Sequence, residues 1–366
     1  MSRPTDNSEE EEEQDSNKFN AVNDHHYQEE QHDERSPLLP TTASSRPTST
    51  TTNRDAKSEV IGLTLMALCA LAFSSMTLFV KLSGASFPSF EIVLFRSVVQ
   101  TALGLAGCAY IGINPFGNRR IRPWLVFRGV IGGLALAVNF YSVTHLPLAD
   151  ATVIMYLNPA FTAILAALVL GEPFRWFEGI CVTLCLTGAV FVSKPEFLFG
   201  NGSASDHGQG NEERTLAVLA AVTGAILTAV AYCTIRKVGK AAHFLVHTFY
   251  FGVVASLMSI PALRTVQSPV LPEGWRQYAM LLMTGISAFI GQCLLSKGLQ
   301  MAPAGPASVM RMNEIVLAFL FGICIFSEYP DWMSVLGATI IISTTTALGS
   351  RKWRNANNNP PRGNSR

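Results

Sequence analysis

Arg311 and Glu314 lie three residues apart inside a long apolar stretch. That spacing is close to one helical turn, so the two side chains share a helix face. A guanidinium fork matches the oxygens of a carboxylate or phosphate, and a neighbouring carboxylate can orient such a guest or exchange a proton. The pair can equally neutralise itself and serve only structure, since charges in apolar spans serve both ends. Other apolar stretches offer related groups: Lys297 and Gln292 in one, Asn139, Tyr141 and His145 in another, Arg96 with Gln100 in a third, and Asn158 ahead of Pro159 in a fourth. The set is biased toward positive charge and suits an organic anion, either a carboxylate or a nucleotide-type metabolite. Arg311, Lys297, Glu314, Asn313, Gln292, Asn139, Tyr141, Asn158 and Arg96 are the candidate substrate-binding residues. Asp150, Glu314 and His145 are the titratable candidates for coupling to a proton.

Other chemistries lack their residues. No GxxxxGK[ST] loop is present to cradle ATP phosphates. His243 and His247 are four apart but lack the glutamate of a zinc-protease helix, and Asp150 is the only aspartate within the apolar stretches. Seven cysteines form no CxxC pair, so neither a zinc site nor a disulfide framework is indicated, and they read as small buried hydrophobes. His25, His26 and His32 sit among carboxylates in a polar head and read as solvated. The expectation is a non-enzyme with no metal, no cofactor and no nucleic-acid partner.

The elements that hold these residues are ten apolar stretches, near 60–82, 90–113, 124–144, 147–170, 177–193, 215–236, 243–264, 276–299, 303–327 and 332–349. A helix needs roughly 20 mostly apolar residues to cross a bilayer core. Charged residues are only 14% of the chain and concentrate in its tails, well below a soluble domain's share. The fold class expected is all-α integral membrane. Charges near span ends, namely Lys81, Glu91, Arg128, Arg236 and Lys237, are expected to reach back to water. Pro159 permits a kink in span 4, and Gly129 with Gly133 permits close helix packing in span 3.

The second five spans repeat the first five at a constant offset of 156 residues: Lys81 returns as Lys237, Pro147 as Pro303, Glu172 as Glu328 and Trp176 as Trp332. An odd number of spans per copy places the copies upside down relative to each other. Inverted five-helix repeats are the architecture of secondary transporters, with the site where the halves meet. The second copy is not electrostatically equivalent, because Arg311 and Glu314 stand where the first has Met155 and Asn158.

Loop charge sets the orientation. Arg119, Arg120, Arg122, Arg175, Arg236, Lys237, Lys240 and the basic end of the chain fall on one side, which should be cytoplasmic with both termini. Asn201-Gly202-Ser203, a glycosylation sequon, falls in the longest loop on the other side, so Asn201 is a candidate glycosylation site. The expected units are a disordered tail over 1–57, a first repeat over 60–193, a linker over 194–214, a second repeat over 215–349 and a basic tail over 350–366. Within the first tail, Glu34, Leu38 and Leu39 match an acidic dileucine sorting signal that adaptor proteins read. It would favour an endosomal or vacuolar membrane; the plasma membrane stays open.

The run from Leu148-Ala149-Asp150-Ala151-Thr152 through Asn158-Pro159-Ala160-Phe161-Thr162 to Gly171-Glu172 resembles the drug/metabolite transporter superfamily, with two EamA-type domains. Arg128-Gly129 and Lys194-Pro195-Glu196-Phe197-Leu198-Phe199-Gly200 are similar to solute carrier 35, subfamily G. In the second copy Glu314-Ile315 replaces Asn158-Pro159, a departure from the EamA pattern. The resemblance implies ten helices, cytoplasmic termini, alternating access, and a cavity lined by spans 3, 4, 8 and 9. The sequence therefore reads as a secondary active carrier of a small organic anion. Its rival is a membrane scaffold that has the fold but moves nothing.

Overall fold

The computed structural model describes residues 49–357 apart from 85–86, 174, 196–197, 199–209, 267–269, 271 and 328–330. Asn201, Glu34, Leu38, Leu39 and Glu328 lie outside the described residues. Among the described residues the secondary structure is helical and free of strands. The helices are α1 (Ser49–Ser83), α2 (Ser89–Ile111), α3 (Arg122–His145), α4 (Leu148–Met155), α5 (Asn158–Leu170), α6 (Trp176–Ser193), α7 (Gly210–Val238), α8 (Phe244–Val266), α9 (Trp275–Met301), α10 (Ala304–Arg311), α11 (Asn313–Phe326) and α12 (Trp332–Asn357). Among the described residues ten segments are long and apolar enough to cross a membrane, with α4–α5 and α10–α11 each forming one span from two helices. Two ends differ from the sequence reading. Helix α1 opens at Ser49, and α12 runs on past 349 to Asn357 because its last turns are tied down by charge.

The helix partnerships follow the duplication. The closest-packed pairs are α1 with α9, α2 with α8, α3 with α7 and α6 with α12, with α5 also against α10. Exchanging the two copies of the repeat swaps α1–α9 with α3–α7 and maps α2–α8 and α6–α12 each onto itself. The fold is therefore ten spans in two inverted repeats, with every major crossing among the described residues joining one repeat to the other. Small residues allow these approaches: a Cβ on Gly188 of α6 would sit 2.8 Å from the Gly337 carbonyl of α12. Gly129 and Gly133 lie against Val254 and Met258 of α8. Outward faces carry exposed apolar side chains such as Ile61, Leu168, Leu219 and Leu257, as lipid contact requires. Trp176 and Trp332, a repeat-related pair, are 73% and 67% exposed at their span ends, where amphipathic rings favour the membrane interface. Six cysteines are buried or half-buried as expected; Cys324 is exposed instead, on the outward face of α11.

Both ends of the described chain meet at one face. Lys352 Nζ of α12 forms ion pairs with Glu59 of α1 at 2.7 Å and with Glu178 of α6 at 2.9 Å. This face is called the terminal face below. At the opposite face Lys194 and Asp331 join the end of α6 to the start of α12, and the lysine holds the Asp331 carboxyl below the usual carboxylate range.

A candidate substrate cavity between the repeats

Spans 4 and 9 are broken at positions related by the repeat offset. Helix α4 ends at Met155, Tyr156 and Leu157 turn, and α5 restarts at Asn158. Pro159 falls in the first turn of α5, where a missing N–H leaves no intrahelical bond unmade. The expected kink is thus a full interruption. Its counterpart at Met312 separates α10 from α11, although no proline stands at that break. There Asn313 does the work: its Nδ2 donates to the Met310 carbonyl at 2.8 Å, and its Oδ1 accepts from Thr345 of α12 at 3.1 Å.

Four half-helix ends therefore meet in the interior. A cavity of about 430 Å³ opens beside them. On α1 its lining runs from Phe73 to Val80, on α2 from Ser89 to Arg96, and on α3 from Arg128 to Phe140. It thus extends from mid-span toward the face opposite the chain ends. Toward the terminal face the space is filled by Leu63, Met66 and Cys69 of α1 and Leu299 of α9, all buried. A polar lock sits beyond them. Glu172, just after α5, accepts from Arg236 Nε of α7 at 2.7 Å and from the Ala304 N–H of α10 at 2.9 Å. Arg236 Nη1 also donates to the Gln300 carbonyl at 3.2 Å, and Gln300 Nε2 to the Ala242 carbonyl at 2.8 Å. A carboxylate at the N-terminus of α10 is favoured by the unpaired N–H groups there. Arg236, expected to reach back to water, is instead bonded to Glu172.

Arg311, Glu314, Gln292, Asn139, Asn158 and Arg96 all line the cavity. Arg311 ends α10 and Glu314 begins α11, joined by an ion pair at 3.1 Å. The cation thus lies at a helix C-terminus and the carboxylate at an N-terminus, each matched to its helix dipole. Arg311 Nη1 also donates to the Tyr232 hydroxyl, and the guanidinium lies 4.7 Å from the Phe73 ring centroid. Asn158 Oδ1 accepts from Thr162 at 2.8 Å.

Five expected residues are placed elsewhere. Lys297 is exposed, its Nζ 5.7 Å from the Phe244 ring centroid. Tyr141, its repeat counterpart, is also exposed and stacks on His145 at 4.1 Å between ring centroids. His145 bonds the Tyr141 carbonyl at 2.8 Å and faces outward. Asp150 is buried at the start of α4, 3.6 Å from Arg214 of α7. Asn313 spends its Nδ2 on the end of α10 and its Oδ1 on Thr345 of α12. Lys297 and Tyr141 lie on the outward side of their helices, and His145 and Asp150 lie at span ends, away from the cavity.

Arg128 is the opposite case. Its place near the start of span 3 suggested an interface anchor, but it is 3% exposed and lines the cavity. Its neighbours Val126, Phe127 and Val130 occupy the lipid side of α3, which turns Arg128 inward toward α8 and α9. Arg128 Nη2 donates to Gln292 Oε1 at 2.9 Å, and the guanidinium stacks 4.5 Å from the Phe251 ring centroid. Tyr232 and Tyr156 also line the cavity and were missed, because nothing in spacing separates a lining tyrosine from a packing one.

The EamA-like transporter family matches residues 60–194 and 215–349, once on each repeat. The chain belongs to the EamA-like transporter family. Solute carrier family 35 member G1 of Homo sapiens is 30% identical over 84% of this chain and 85% of its own. The pseudopaline exporter CntI of Pseudomonas aeruginosa is 30% identical over 80% of this chain and 96% of its own. A crystal structure with 18% identity covers 80% of this chain and 98% of that chain, with a TM-score of 0.67, and shares the fold. This EamA-family chain is a multi-pass integral membrane transporter.

Proposed function

We propose that the protein is a secondary active carrier that moves a small organic anion by alternating access. The observation that carries the reading is the meeting of repeat-related helix breaks at one cavity, locked toward the terminal face. Broken helices at a repeat interface are how carriers bring backbone ends and side chains to a cargo. Among the described lining residues the charged ones are Arg96, Arg128, Arg311 and Glu314, so cations outnumber anions and favour a negatively charged guest. A relative that exports pseudopaline supports a small-molecule cargo. The basic loops favour cytoplasmic termini, and on that reading the lock faces the cytoplasm.

The test is an untargeted metabolite comparison between proteoliposomes with and without the purified protein. Accumulation of one or a few organic anions is expected; no difference for any metabolite sinks the reading. The scaffold alternative places activity in the tail. Deleting residues 1–57 leaves flux intact in a carrier and abolishes the biological activity of a scaffold.

A further inference from the structure

We propose that Arg128 and Arg96, rather than Arg311, form the seat for the cargo's acidic groups, and that the cargo is an organic dianion. This rests on the anion-carrier reading above and names its ligand class. The charge of Arg311 is already answered by the Glu314 carboxylate and the C-terminal end of α10, with the Tyr232 hydroxyl accepting from Nη1, although its Nε too is buried without a partner. The other two guanidiniums have no carboxylate within 4.0 Å among the described residues. Arg128 has one hydrogen bond, from Nη2 to Gln292, and its Nε and Nη1 are buried without a partner. Arg96 has one contact, from Nη1 to the Met76 sulfur at 3.3 Å, and its Nε is likewise unpartnered.

These arginines are 3% and 9% exposed, and both line the cavity. A buried guanidinium with unmade N–H bonds is costly, and an anion in the adjoining space removes that cost. Two uncompensated cations call for about two negative charges. The forked donor geometry fits either two carboxylates or one phosphate monoester. Phe251, stacked on Arg128, removes one face of that guanidinium from water and strengthens its pull on a guest. Gln292 comes from the second repeat while both arginines come from the first, so the seat bridges the two moving halves.

The full-length protein in proteoliposomes is offered a mixture of monocarboxylates, dicarboxylates and phosphate monoesters, with uptake read by mass spectrometry. Wild-type protein is expected to take up dianions roughly tenfold or more in preference to monoanions, the scale of one charge-assisted contact. The dicarboxylate and phosphate arms distinguish the two sources of charge. Arg128→Gln is expected to erase that preference, whereas Arg311→Gln slows uptake without changing it. Arg128→Lys retains the charge without the fork and should fall between. Equal uptake of monoanions and dianions by the wild type overturns this proposal alone, and that arm does not depend on any variant folding. An unchanged preference in Arg128→Gln also overturns it. Uptake of no anion of any class overturns the carrier reading along with it.

Discussion

Lys352 holds two carboxylates at once, Glu59 from α1 and Glu178 from α6, and all three side chains are largely buried. Truncating one member of such a group leaves charge without compensation, which costs more than the group itself contributes. Lys352→Met should therefore lower unfolding stability by about 3 kcal/mol, read as a fall in melting temperature of the detergent-solubilised protein. Adding Glu178→Gln should recover part of that loss; a single variant that melts with the wild type rejects the argument. At the cavity, Arg311→Glu places two carboxylates side by side next to Tyr232 and should abolish uptake at unchanged surface expression. Undiminished flux would remove Arg311 from the site.

At the scale of helices, the two broken spans are built differently. The first uses Pro159, whose type announces a break in the sequence. The second uses Asn313, whose amide bonds the end of α10 while Thr345 of α12 steadies it. Asn313→Leu removes both bonds. The expected loss is about 1–2 kcal/mol of stability, seen in thermal unfolding, with uptake reduced through the amount of folded protein rather than through KM. A KM change at full stability would show that Asn313 touches cargo. The lock at Glu172 belongs to this scale too. Glu172→Gln weakens the charge-assisted bond to Arg236 while leaving an acceptor for Ala304. In a cysteine-free background carrying Ser308→Cys, that change should speed thiol labelling from the terminal face. Labelling at the parent rate would mean that closure rests on packing alone.

For the whole molecule, the inverted duplication was legible because it rests on rare residues at a constant offset and on apolar windows of membrane length. Those are one-dimensional signals and survive without coordinates. The site was legible only in part. Sequence position gives depth in a bilayer but not the side of a helix, so it points Arg128 to the interface and Lys297 to the cavity. The break at Met312 carried no proline to mark it. Pairing of Glu59 with Lys352 brings the two ends of the described chain to one face. Tags at both termini should accordingly be reached from the same side of the membrane; protection of one tag while the other is digested would contradict the even number of crossings.

Helix α10 has only eight residues, a rod of roughly 12 Å at the usual rise per residue. Glu172 grips its first backbone amide and Arg311 projects from its last turn. A rod that short cannot flex between its ends, so whatever tilts one end swings the other. Any displacement of Arg311 thereby moves the amide that Glu172 grips, through about one turn of lever on either side of the midpoint.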